Sequence, residues 1–106
     1  MNQECGDMEF LKRVRRCRGD RLNDPVFVGK YMMSIQCSSS HHCFPREDGL
    51  PLCEYESMEV MITPKIENLE PKYAKYLDVE MDGSTLLAFV PVDKIEEIYQ
   101  HLKEEQ

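Results

Sequence analysis

Three of the five cysteines and two of the three histidines of this chain fall between Cys37 and Cys53, so thiol or metal chemistry is expected there. Thiolate and imidazole are the ligands zinc prefers, and a structural zinc site takes four of them. Cys37, Cys43 and Cys53 with His41 would make such a set, with His42 as a substitute for His41 and Cys17 as a substitute for one thiol. The spacing differs from the short paired knuckles of structural sites: five residues separate Cys37 from Cys43 and nine separate Cys43 from Cys53. The alternative is that the thiols behave as small apolar groups. No cofactor is therefore expected, with zinc as the single candidate.

A nucleophilic thiol is the second chemistry. His42-Cys43 invites comparison with phosphatases, in which a His-Cys pair is followed by five residues of a Gly-bearing cradle and then a phosphate-binding Arg. Here only Phe44-Pro45 separates Cys43 from Arg46, and the match fails. Neighbouring imidazoles can lower a thiol pKa and accept its proton, but no third group that would orient the base is legible. A non-enzymatic protein is expected.

Anion binding is the third. Successive backbone N–H groups and hydroxyls at Ser38, Ser39 and Ser40, together with His41, His42 and Arg46, would surround a phosphate, a carboxylate or a nucleotide-like ligand, in an oligomer if a second subunit completes the pocket. Against this stands the plain reading of three serines as a flexible polar loop.

These residues are positioned by the segments that flank them. Met8, Leu11, Val14 and Cys17, with Phe10 beside them, recur at helical spacing over residues 7–18, and Gly19 supplies a stop. Arg18-Gly19-Asp20 spells an adhesion tripeptide, to which a cytosolic chain gives no role. After the Asn23-Asp24-Pro25 turn, Val26 to Val28 and Tyr31 to Cys37 read as extended, with Gly29-Lys30 as a hairpin turn or a bulge. Tyr31, Met33, Ile35 and Cys37 share one face, which points Cys37 toward the core. Beyond the Cys/His loop, Met58, Val60 and Ile62 alternate with Glu59 and Met61 as a half-buried strand. Residues 64–75, bracketed by Pro64 and Pro71, read as a loop with one helical turn.

Leu77, Val79 and Met81 then alternate with Asp78 and Glu80, Asp82-Gly83 makes a two-residue turn, and Thr85 to Val90 is almost wholly apolar. That run implies a strand covered on both faces or central in its sheet, with Leu87 and Phe89 in the core. Pro91-Val92-Asp93 opens a last helix with Asp93 as cap, Glu96 as its capping-box partner, and a stripe of Ile95, Ile98, Tyr99 and Leu102. His101 falls beside that stripe as a surface residue. The expected fold is α+β: a small antiparallel sheet of four to five strands with an N-terminal and a C-terminal helix packed on it, in a single domain over residues 1–106.

Charge is uneven. The net charge is −7, yet residues 1–30 carry seven Lys/Arg against five Asp/Glu and residues 31–106 carry six against fifteen. Six basic residues lie between Lys12 and Arg21; as a solvated face they leave direct nucleic-acid binding to that one stretch, and the overall acidity disfavours it elsewhere. Five cysteines and a polar start without a signal-peptide core point to the cytoplasm with reduced thiols, and no apolar run is long enough for a membrane. Small size, acidity and the lack of a complete catalytic constellation favour a binding protein that regulates or inhibits a macromolecular partner with a basic surface. Small inhibitors carried by phages or toxin loci share this profile. Phe44, Pro45, Leu50 and Leu52 would supply exposed apolar contacts to that partner.

Overall fold

A computed structural model describes residues 8–16, 22–67 and 69–105. Its elements in chain order are α1 (Glu9–Arg13), β1 (Val26–Val28), β2 (Tyr31–Gln36), β3 (Ser57–Thr63), α2 (Pro71–Ala74), β4 (Leu77–Glu80), β5 (Thr85–Pro91) and α3 (Val92–Glu104). The five strands form one antiparallel sheet in the order β1-β2-β3-β5-β4. The α+β architecture with a helix at each end is the one expected from the sequence. Among the described residues no helix is long and apolar enough to cross a membrane.

Alternation assigns the two faces of the sheet. Val26 and Val28, Tyr31, Met33 and Ile35, Met58, Val60 and Ile62, and Leu87 and Val90 are all buried, and they meet the Ile95, Ile98, Tyr99 and Leu102 stripe of α3 in one core. Gly29 holds a positive φ of 59° between Val28 and Tyr31, which are paired, so Gly29-Lys30 is a two-residue hairpin turn. Residues of the opposite parity pair across the strands as Phe27 with Met32, Ser34 with Met61, Met61 with Leu86, and Leu86 with Val79. The helices lie on the other face, so these side chains stay half-buried or exposed.

α1 closes the helical layer through polar contacts with α3. Phe10 N donates to Glu96 Oε1 at 3.0 Å, and Glu9 accepts from Tyr99 Oη at 2.9 Å, Gln100 Nε2 at 3.1 Å and Lys103 Nζ at 2.6 Å. Arg13 spans to Tyr99 Oη at 3.0 Å and to the carbonyl oxygen of Phe27 at 2.6 Å, which ties the layer to edge strand β1.

Three local expectations differ from the structure. The first helix ends at Arg13, with Val14 already extended (φ −74°, ψ 130°), because Arg16 pairs with Asn23 and Asp24 N donates to Arg15 O at 2.7 Å. Tertiary pairing thus overrides helical periodicity beyond Val14; Cys17, Gly19 and the Arg-Gly-Asp tripeptide lie outside the described residues. Asp93 is not the cap of α3: β5 runs directly into the helix at Pro91 and no side chain caps it. Glu96, the expected capping-box partner, is engaged by Phe10 N and by Gln100 Nε2 at 2.8 Å. Phe89 is not in the core, since it sits at a positive φ of 53° and turns its ring outward, 46% exposed.

Candidate functional site

The Cys37 to Cys53 stretch is anchored along most of its length. It leaves β2 at Cys37, and Phe44 bridges to Ser57 at the start of β3, with Phe44 N donating to Ser57 O at 3.2 Å and Glu56 N to Phe44 O at 2.8 Å. On the other side Phe89 N donates to His42 O at 3.0 Å. Residues 42–44 therefore lie against the ends of β3 and β5, where the β3–β5 register shifts between Met58 and Val60. Near Cys53 the loop is tied down by Tyr55, whose hydroxyl donates to Glu47 O and accepts from Leu50 N at 3.3 Å, and by Arg16, which donates to Leu50 O.

The serines face inward or toward the chain's own carboxylates. Ser38 is fully buried, its hydroxyl 2.7 Å from His41 Nδ1 and accepting from Ser40 N at 3.0 Å. Ser39 donates through N and Oγ to Asp48 Oδ1, at 2.8 and 3.0 Å. His41 N donates to Ser38 O, His42 N to Glu59 Oε1 at 2.8 Å, and Cys43 N to His41 O at 2.9 Å. Every backbone N–H from Ser39 to Phe44 thus has a partner within the chain, and two of those partners are carboxylates. An incoming anion would have to displace Asp48 or Glu59 and be repelled by both. Arg46 is exposed.

The thiols are separated by environment. Cys37 and Cys43 are buried and Cys53 is exposed. Among the described residues no group of three or more His, Cys, Asp or Glu side chains is placed to hold a metal ion, so Cys37, His41, Cys43 and Cys53 are not brought together as a ligand set. Burial pushes the Cys37 thiol up to about 11 against the lesser opposing effect of a 3.9 Å hydrogen bond from Asn23 Nδ2. Cys43 is also pushed up by burial, although Ser38 O and Pro45 O lie 3.3 and 3.4 Å from its sulfur and Arg46 opposes the shift. Both stay protonated at neutral pH, the opposite of an activated nucleophile.

Of the four residues expected to offer apolar contact, Phe44 is 56% exposed and Pro45 half-buried. Leu50 and Leu52 are instead packed against the core, drawn in by the Tyr55 and Arg16 bonds to the loop backbone, and are not an exposed surface.

A cluster that the sequence did not single out joins His42 to β3, β4 and β5. His42 Nδ1 lies 3.4 Å from Glu59 Oε1 and 3.5 Å from Asp78 Oδ2 without a hydrogen bond, and its ring sits 5.6 Å from that of Phe89. Phe89 is held there in a left-handed backbone conformation that a side chain of its size rarely adopts, the kind of strain that persists where surroundings impose it. The visible signal was the unbroken apolar run from Thr85 to Val90; nothing local marks Asp78, one acid among many. A cleft of about 70 Å3 between the 66–73 segment and α3, lined by Ile66, Leu69, Tyr73, Ile98 and Leu102 among others, is built from residues outside the loop. Compared with family models, curated proteins and solved structures, the chain finds no match.

Proposed function

We propose that this chain is a small acidic binding protein that docks on a basic macromolecular partner, and regulates or blocks that partner by occupying its surface. The observation that carries this reading is the uncovered face of the sheet. Phe27, Met32, Met61, Leu86 and Val79 lie across all five strands on the side away from α3, and the carboxylates of Glu59 and Asp78 stand at one end of it. An uncovered antiparallel face ordinarily carries polar residues. Two apolar groups, Phe27 with Met32 and the row Met61, Leu86 and Val79, separated by Ser34 and Thr63 and bordered by acidic groups, have the composition of an interface, with charge to steer and apolar area to hold.

The test is retention of basic proteins by the immobilised chain, compared with a Met61→Glu, Leu86→Glu double variant shown by circular dichroism to be folded. Basic proteins should be retained by the wild type, released at about 0.5 M salt where screening shortens to a few ångströms, and lost by the variant. Retention indifferent to both salt and variant would overturn the reading.

A further inference from the structure

Resting on that reading, we infer that β4 is the docking edge, and that it receives an extended cationic segment of another protein, with basic and apolar side chains in alternation, as a sixth strand of the sheet. The two edges of the sheet are finished differently. β1 has three residues, follows Pro25, and its Phe27 carbonyl is taken by Arg13, while the Arg16–Asn23 bridge closes the line beside it. Short length, proline and covering side chains are the usual means of keeping an edge from pairing. β4 pairs with β5 on one side, and no strand among the described residues lies on its other side. Its apolar residues and their continuation are open to solvent: Leu77 is 43%, Val79 53% and Met81 36% exposed. Its shortness, its acidic residues and a register shift between Leu77 and Val79, which sets Asp78 against His42, guard it against pairing with another acidic strand; from Val79 onward it runs in register with Leu86 and Thr85.

Charge selects the occupant. The sequence Leu77-Asp78-Val79-Glu80-Met81-Asp82 alternates apolar and acidic residues, in a chain of net charge −7. Pairing β4 with β4 of a second copy would bring like charges together across the new ladder and join two strongly acidic bodies. A strand alternating Lys or Arg with apolar residues meets the opposite situation: its charge is opposite to that of this acidic edge, an apolar residue beside Val79 extends the row Met61, Leu86, Val79, and its backbone pairs with the open edge.

The probe is an octapeptide alternating lysine and valine, titrated into isotope-labelled full-length protein at low salt. Two further peptides carry backbone N-methyl groups on all valines or on all lysines, which blocks one hydrogen-bonding edge of the strand in each. Strand addition predicts chemical-shift changes centred on residues 77–82 and the uncovered face, slowed amide exchange in β4, and about tenfold weaker binding for one N-methylated peptide with the other little affected. Equal binding by both methylated peptides, or shifts centred elsewhere, would overturn strand addition while leaving an acidic docking protein in place. An absence of binding by the unmodified peptide would also overturn it, and retention of basic proteins then decides the wider reading separately. Protein that already sedimented as a dimer with protected β4 amides would show that a second copy holds the edge, against this proposal.

Discussion

The two faces of the sheet are built from alternate residues of the same strands, yet among the described residues only one is covered by helices. Met33, Ile35, Val60, Ile62 and Leu87 disappear beneath α1 and α3, whereas Met32, Ser34, Met61, Leu86 and Val79 remain half-buried or exposed. The difference is in coverage more than in composition, since methionine and leucine occur on both sides. A strand with one wet face usually shows a clean apolar/polar alternation. In β5 that alternation is missing although no helix among the described residues covers the second face, which is the feature the proposed docking rests on.

Paired substitutions on adjacent residues of β5 test the contrast most strongly. Leu87 is fully buried, and Leu87→Ala is expected to cost about 2–5 kcal/mol, through lost transfer energy and the cavity left behind. Leu86, one residue away on the uncovered face, should cost about 1 kcal/mol or less when replaced by alanine. Urea unfolding of the two variants gives the comparison directly. Similar losses would mean that the second face is buried in the free protein and unavailable to a partner.

The sheet, the hairpin turn at Gly29-Lys30, the single turn after Pro71 and the stripe of α3 were all legible, because each rests on local periodicity or on a turn residue with a definite backbone requirement; the β4–β5 hairpin was legible too, but Glu80 pairs with Thr85, so four residues, 81–84, join its strands in place of the expected two-residue Asp82-Gly83 turn. What was not legible depends on contacts between distant segments. The early end of α1 follows from Arg16 pairing with Asn23, and the inward turn of Leu50 and Leu52 follows from Arg16 and Tyr55 reaching the loop backbone. Likewise, of the serines that looked ready for an anion Ser39 is occupied by Asp48, nine residues downstream, and Ser38 by His41 and Ser40 N, and the meeting of His42 with Asp78 requires β4 to lie beside β5. An apolar run says that a strand is apolar on both sides; it does not say whether the chain or a partner covers the second.

Phe89 marks the border of the two faces and offers a smaller, sign-reversed test. A side chain at φ 53° carries a backbone cost that glycine does not, of about 1 kcal/mol. With its ring largely outside the core, Phe89→Gly should leave the denaturation midpoint unchanged or raise it by the equivalent of up to about 1 kcal/mol, and should weaken retention of basic proteins. A pronounced fall in the midpoint would assign the ring to the covered face.

The smallest effect concerns the covering layer itself and is read through pH. Glu9 of α1 is held down to about 2 from an ordinary 4.5, first by the hydrogen bond from Lys103 and then by those from Gln100 and Tyr99. Lys103 is raised, first by the same bond. A carboxylate depressed in the folded state contributes stability that is fully present above its unfolded value and disappears as pH falls through the folded one. The Glu9 contribution is therefore expected to be complete above about pH 4.5 and lost progressively toward about pH 2. The stability difference between wild type and Glu9→Gln, measured by denaturant unfolding, should shrink to nothing over that interval, and amides of α1 should exchange faster in the variant at neutral pH. Because Glu9 secures α1 to α3 on the covered side, Leu86→Ala should show the same acid dependence as the wild type. A difference between wild type and Glu9→Gln that stayed constant with pH would mean that the Glu9 contacts do not hold the first helix in its place over the sheet.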